Sequence, residues 1–93
     1  MTYLIVERWW DILQNHLARK IGLKVAYYRK LRGYTQQQLA QKIDVSLSYM
    51  GKIECGALIK CASLPILLTI AKVLDVSIIN LVEDDFVSRR EIR

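Results

Sequence analysis

Apolar residues recur three and four positions apart through most of the chain, and the breaks in that rhythm divide it into short helices. The opening stretch carries Val6, Trp9, Trp10, Leu13 and Leu17 at this spacing, which predicts an amphipathic helix of about three turns. A second helix is expected from about Lys20 to Leu31, with Ile21, Val25, Tyr28 and Leu31 turned inward and Gly33 as its C-terminal stop. Leu39, Ala40 and Ile43 mark the inner face of the next. Ser63 or Leu64 opens another, with Pro65 tolerated in the first turn and Leu64, Leu67, Leu68, Ala71 and Leu74 as its core stripe. The last, from Ile78 to about Glu83, is apolar on more than one side and needs burial on two fronts; Phe86 and Val87 prolong that character. Residues 88–93 read as a charged, frayed tail.

The stretch from Thr35 to Gly56 is the most informative. Thr35 followed three positions later by Gln38 is a capping box: the hydroxyl accepts from an orphan amide while the glutamine reaches back. Asp44 ends that helix at a turn that needs a residue tolerant of positive φ, and Ser46 caps the helix that follows. At about 100° per residue, Tyr49, Met50 and Ile53 share one face of this second helix, while Ser48, Gly51, Lys52 and Cys55 share the opposite one. A helix that needed only solubility would more often carry Glu/Lys pairs there. Two short helices joined by a tight turn, the second with a small and donor-bearing outer face, suit insertion into a DNA groove. The Asp-Val-Ser of 44–46 returns at 75–77, again between an apolar residue and a new helix, as a reused turn-and-cap solution.

These residues resemble the helix-turn-helix domain of the phage repressor and Cro family, the xenobiotic-response-element (XRE) type. The likeness runs over about residues 20–83 and is carried by Ile21-Gly22, Arg29, Thr35-Gln36, Leu39-Ala40, Val45-Ser46, Ser48-Tyr49-Met50, Lys52-Ile53-Glu54, Gly56, Ser63-Leu64, Ile70-Ala71-Lys72, Leu74 and Val76-Ser77. Asp44 and Asp75 depart from it, standing where the family often has Gly, and Cys55 stands where a polar or basic residue is common. The resemblance implies an all-α fold, a compact bundle of five helices of the lambda-repressor-like DNA-binding type, to which the N-terminal amphipathic helix is added. It also implies that Arg29 pairs with Glu54 and holds the first helix of the domain against the end of the reading helix. The expected organisation is an extension over 1–18, the domain over 19–87 and the tail over 88–93.

Charge sharpens this picture. Residues 19–60 hold nine Lys/Arg against Asp44 and Glu54, a net +7, whereas 1–18 and 61–93 each come to −1. Basic surface over a helix-turn-helix is the footprint of phosphate binding. At 93 residues the chain is one domain, and 53% hydrophobic residues is enough to leave apolar surface for burial between subunits. Cys55 and Cys61, with His16 alone and distant, make no metal set and read as reduced thiols of a cytoplasmic protein. Glu7, Arg8 and Asp11 interrupt the N-terminal apolar run, which excludes a membrane span or export signal. With one His, no Gly-rich phosphate loop and no nucleophile beside a base, no enzyme, cofactor or small-molecule substrate is expected.

The expected function is sequence-specific binding of double-stranded DNA by a transcriptional regulator, repression being what the resemblance supports, with the helix at about 46–55 in the major groove. Leu47, Ser48, Gly51 and Lys52 would read bases; Thr35, Gln36, Gln37, Ser46, Tyr49 and Lys60 would hold phosphates. Helix-turn-helix proteins usually read DNA as dimers, and Trp9, Trp10, Leu13, Ile78, Ile79, Val82 and Phe86 are the expected homodimer surface. Two readings stay open for the extension. It either folds back over its own core or packs on a second subunit. The alternative function is an antitoxin-like or adaptor module that uses this fold to engage a protein partner.

Overall fold

The computed structural model describes the backbone of residues 2–57 and 63–83, and side chains from Arg8 onward within those ranges. Five helices follow in order: α1 Thr2–Leu31, α2 Gln36–Lys42, α3 Leu47–Cys55, α4 Leu64–Leu74 and α5 Ile78–Val82. The fold is all-α, with α1 packed across α3, α5 and α4, and α2 against α3 and α4. One core holds them together. It joins Ile21 and Val25 of α1 to Leu39, Ala40, Ile43, Met50, Ile53, Leu67, Ile70, Ala71, Leu74 and Leu81.

The two helical segments expected on either side of residue 19 form a single helix of 30 residues. The reason is local: no Gly, Pro or capping residue stands between His16 and Ile21 to stop the first segment. The buried positions of α1 are Ala18, Ile21, Gly22, Val25 and Arg29, a stripe at three- and four-residue spacing. That register corrects one inward assignment. Leu31 lies off the stripe and is 61% exposed. In α4 the buried stripe is Leu67, Ile70, Ala71 and Leu74, rotated toward Ile70, so Leu64 (62%) and Leu68 (48%) are exposed rather than in the core. Of α5 only Leu81 is fully buried; Ile78 packs on the edge of the core while Ile79 and Val82 face outward. Phe86, Val87 and the tail lie outside the described residues.

The termini of the helices follow their sequence signals. Gln38 N donates to Thr35 Oγ1 at 3.0 Å and Thr35 N to Gln38 Oε1 at 2.9 Å, both halves of a capping box. Ser46 Oγ accepts from Tyr49 N at 3.0 Å, and Ser77 Oγ from Ile79 N at 3.2 Å. Asp44 and Asp75 occupy the left-handed region at φ 60° and 57°, the positions where a glycine is the commoner solution. Arg32 satisfies the end of α4, donating from Nε to the Leu74 carbonyl at 2.6 Å and from Nη2 to the Asp75 carbonyl at 3.1 Å.

At Gly22 α1 comes close to the backbone at the end of α3. A Cβ on Gly22 would lie 2.5 Å from the Ile53 carbonyl oxygen and 2.6 Å from that of Glu54. Neither oxygen can retreat, because both belong to helical backbone. Gly22→Ala is therefore expected to cost about 3 kcal/mol of stability, as overpacking against a rigid neighbour does; urea unfolding followed by circular dichroism measures it.

Candidate nucleic-acid interface

The α2–turn–α3 unit is built by short-range bonds. Val45 N donates back to the Ala40 carbonyl at 2.9 Å and Asp44 N to the Gln41 carbonyl at 3.3 Å, so the chain reverses within the turn at 43–46. Ser46 then starts α3, and Gly56 ends it in the left-handed conformation at φ 73°. Met50, Ile53 and Glu54 are buried, and Tyr49 packs on the edge of the core. Opposite them Leu47, Ser48, Lys52 and Cys55 are exposed and Gly51 is half-buried. A Cβ on Gly51 would meet nothing within 4 Å, so packing within the chain gives no reason for glycine there.

What fixes α3 is a buried ion pair. Arg29 of α1 donates from Nε to Glu54 Oε2 at 2.6 Å and from Nη2 to Glu54 Oε1 at 3.1 Å, a two-point geometry. Both residues are nearly closed off, at 8% and 9% exposure. The guanidinium's remaining direction is used as well: Nη1 donates to the Tyr34 carbonyl at 2.8 Å. Gln36, in the first turn of α2, completes the set by donating from Nε2 to Glu54 Oε1 at 2.9 Å. One carboxylate thus ties together the C-terminal half of α1, the start of α2 and the end of α3. No spacing in the chain singles out Gln36 for this network, since the contact depends on how α2 and α3 pack.

The sequence-derived contact residues divide as follows. Leu47, Ser48, Gly51 and Lys52 share the outer face of α3. Thr35 and Gln37 are exposed at the start of α2, and Ser46 at the start of α3; the Thr35 and Ser46 hydroxyls already accept cap bonds and keep a proton to donate. Gln36 is committed through one amide hydrogen to Glu54 and retains the other. Lys60 and Cys61 fall outside the described residues. Several basic residues serve the fold: Arg29 is in the buried pair, Arg32 caps α4, and Lys24 donates to the Glu83 carbonyl at the end of α5. Among the described residues no group of three His, Cys, Asp or Glu is placed to hold a metal ion.

Over residues 25–81, from mid-α1 to α5, the chain matches the helix-turn-helix family. The chain belongs to the XRE-type helix-turn-helix family. It is 38% identical over 64 residues to the HTH-type transcriptional regulator SinR of Bacillus subtilis (strain 168), covering 69% of this chain. Over 35 residues, 38% of this chain, it is 43% identical to YazB of the same organism, an uncharacterized HTH-type transcriptional regulator. The chain spans 57% and 51% of the length of these two curated relatives. Among solved structures it is similar to the restriction-modification controller protein C.AhdI from Aeromonas hydrophila, with a TM-score of 0.62, 30% identity, and coverage of 69% of this chain and 94% of that one. The family and these relatives are not enzymes.

The ion pair generates a stability prediction. Glu54→Ala leaves a buried guanidinium and the Gln36 amide without their shared acceptor, which is expected to cost about 3–5 kcal/mol. Thermal unfolding at matched salt measures it.

Proposed function

We propose that this chain is a DNA-binding transcriptional regulator that acts as a homodimeric repressor in the cytoplasm, laying α3 in the major groove. The observation that carries the reading is the outer face of α3. Leu47, Ser48, Gly51 and Lys52 are left open on a helix whose other side is packed and locked by Arg29 and Glu54. An element held this firmly, with a face of small and donor-bearing residues, is built to meet a surface from outside the chain. Membership of the XRE-type family and likeness to transcriptional regulators support the same partner.

Contacts then sort into holding and reading. The exposed first turns of α2 and α3, with Thr35, Gln37, Ser46 and the second amide hydrogen of Gln36, hold phosphates, helped by Tyr49 and Lys60. Lys52 donates to a guanine edge, Ser48 accepts or donates at either pair, and Leu47 lies against a thymine methyl. Gly51 lets the helix come close to the groove. This set is short of two-point donors, so part of the discrimination is assigned to DNA shape and to paired half-sites about one helical turn apart.

The experiment is fluorescence anisotropy with DNA from upstream of the protein's own gene and with a shuffled control, at several salt concentrations. Tighter binding of the upstream DNA, with a salt slope worth several phosphates, is expected. Equal weak binding of both would overturn the reading in favour of a module that engages protein. Two substitutions refine it. Lys52→Ala is expected to lose about 1–3 kcal/mol at one base position while leaving the others unchanged, measured on a panel of single-base variants. Gly51→Ala is expected to act with opposite signs, raising helix stability by up to about 1 kcal/mol in the free protein while weakening DNA binding.

A further inference from the structure

The N-terminal half of α1 carries large apolar side chains that the domain leaves uncovered: Trp9, Trp10, Ile12, Leu13 and Leu17 are all exposed. The extension does not fold back on its own core. These side chains are not scattered. Trp10, Leu13, Leu17, Lys20, Lys24 and Tyr27 step along α1 by alternating intervals of three and four, the spacing of a coiled-coil seam. The seam runs on a different side of the helix from the buried stripe of Ala18, Ile21, Val25 and Arg29. At its C-terminal end it enters the groove between α1 and α5, lined by Leu23, Lys24, Tyr27, Tyr28, Asn80 and Glu83.

We propose that this seam is where a second copy of the chain docks, with the two α1 helices antiparallel and related by a two-fold axis beside residue 15. The proposal rests on the homodimer put forward above and specifies how its subunits meet. The seam is complementary to itself. An isologous interface brings a surface against itself, so each residue must suit its partner across the axis. About residue 15 the seam is palindromic in chemistry. Leu13 falls opposite Leu17 of the other copy, and Trp10 opposite Lys20, which sets an ammonium over an indole face. A shift by one heptad toward the C-terminus would place Lys20 on Leu17, where its ammonium loses the indole face and meets only an aliphatic side chain. A shift of two heptads would set Lys20 against Lys24. In the favoured register the first turns of one α1 run along the other copy's α1–α5 groove, beside its exposed Ile79 and Val82.

Light scattering with the full chain gives the mass, and spin-label distances give the arrangement, in a Cys55→Ser, Cys61→Ser background labelled at either Gln14→Cys or Lys30→Cys. At about 1.5 Å per residue, paired labels at 14 are expected about 3 Å apart along the axis and paired labels at 30 about 45 Å apart. A dimer whose two distances are similar, or reversed in order, would overturn the antiparallel pairing and leave the homodimer standing. A monomer at tens of micromolar would overturn both. Leu13→Glu with Leu17→Glu is expected to shift the mass to monomer with helicity and melting of the domain retained, because neither residue belongs to the core. Trp10→Ala and Lys20→Ala are each expected to weaken the dimer by roughly ten-fold, and the double variant by no more than either alone, the signature of a direct pair.

Discussion

A charge removed from water must be answered completely or it unfolds what surrounds it, and the Arg29–Glu54 pair is answered completely. The carboxylate receives two bonds from the guanidinium and one from Gln36, and the guanidinium also reaches the Tyr34 carbonyl. Among the described side chains no buried nitrogen or oxygen is left without a partner. The apolar core would tolerate some sliding of α3 against α1, since Met50 and Ile53 are held by shape alone. The ion pair would not. Its two-point geometry sets both the rotation and the axial position of α3, and the outer face of that helix inherits both.

Other features serve the same end. Gly22 lets α1 approach the last carbonyls of α3, which brings Arg29, two turns further along, within reach of Glu54. Arg32, in the turn just past α1, closes the end of α4, so Arg29 and Arg32 tie two neighbours to the C-terminal end of α1. Part of the positive charge concentrated between residues 19 and 60 therefore serves the fold. Lys30, Lys42 and Lys52 stay exposed.

Much of this was legible in the chain because it is decided within a few residues. The caps at Thr35, Ser46 and Ser77 and the left-handed aspartates at 44 and 75 each depend on a turn's worth of sequence, and the two faces of α3 follow from helical periodicity once Met50 and Ile53 are assigned inward. The departures share a cause. Leu31, Leu64 and Leu68 are as apolar as the residues that are buried, and only the angle at which α1 and α4 meet the others decides which side faces in. Leucine at the edge of a stripe carries no mark of which way it will turn. The bonds of Gln36 and Arg32 join positions 18 and 42 apart in sequence, where no local rule operates. The continuity of α1 was implicit in the absence of any stop between residues 16 and 21, but an absence is easily outweighed by a change in composition on either side.

The unbroken α1 has a mechanical consequence. Thirty residues of helix make a rod about 45 Å long, and a rod without Pro or a bulge bends little under thermal load. Its far end stands clear of the core, while Gly22 seats its near half directly on the backbone of α3 with no compliant side chain between. Anything that tilts the free end therefore applies torque to α3, with the contact at residue 22 as fulcrum. Mechanical advantage, rather than proximity, then connects the tryptophans near one end of α1 with the exposed face of α3.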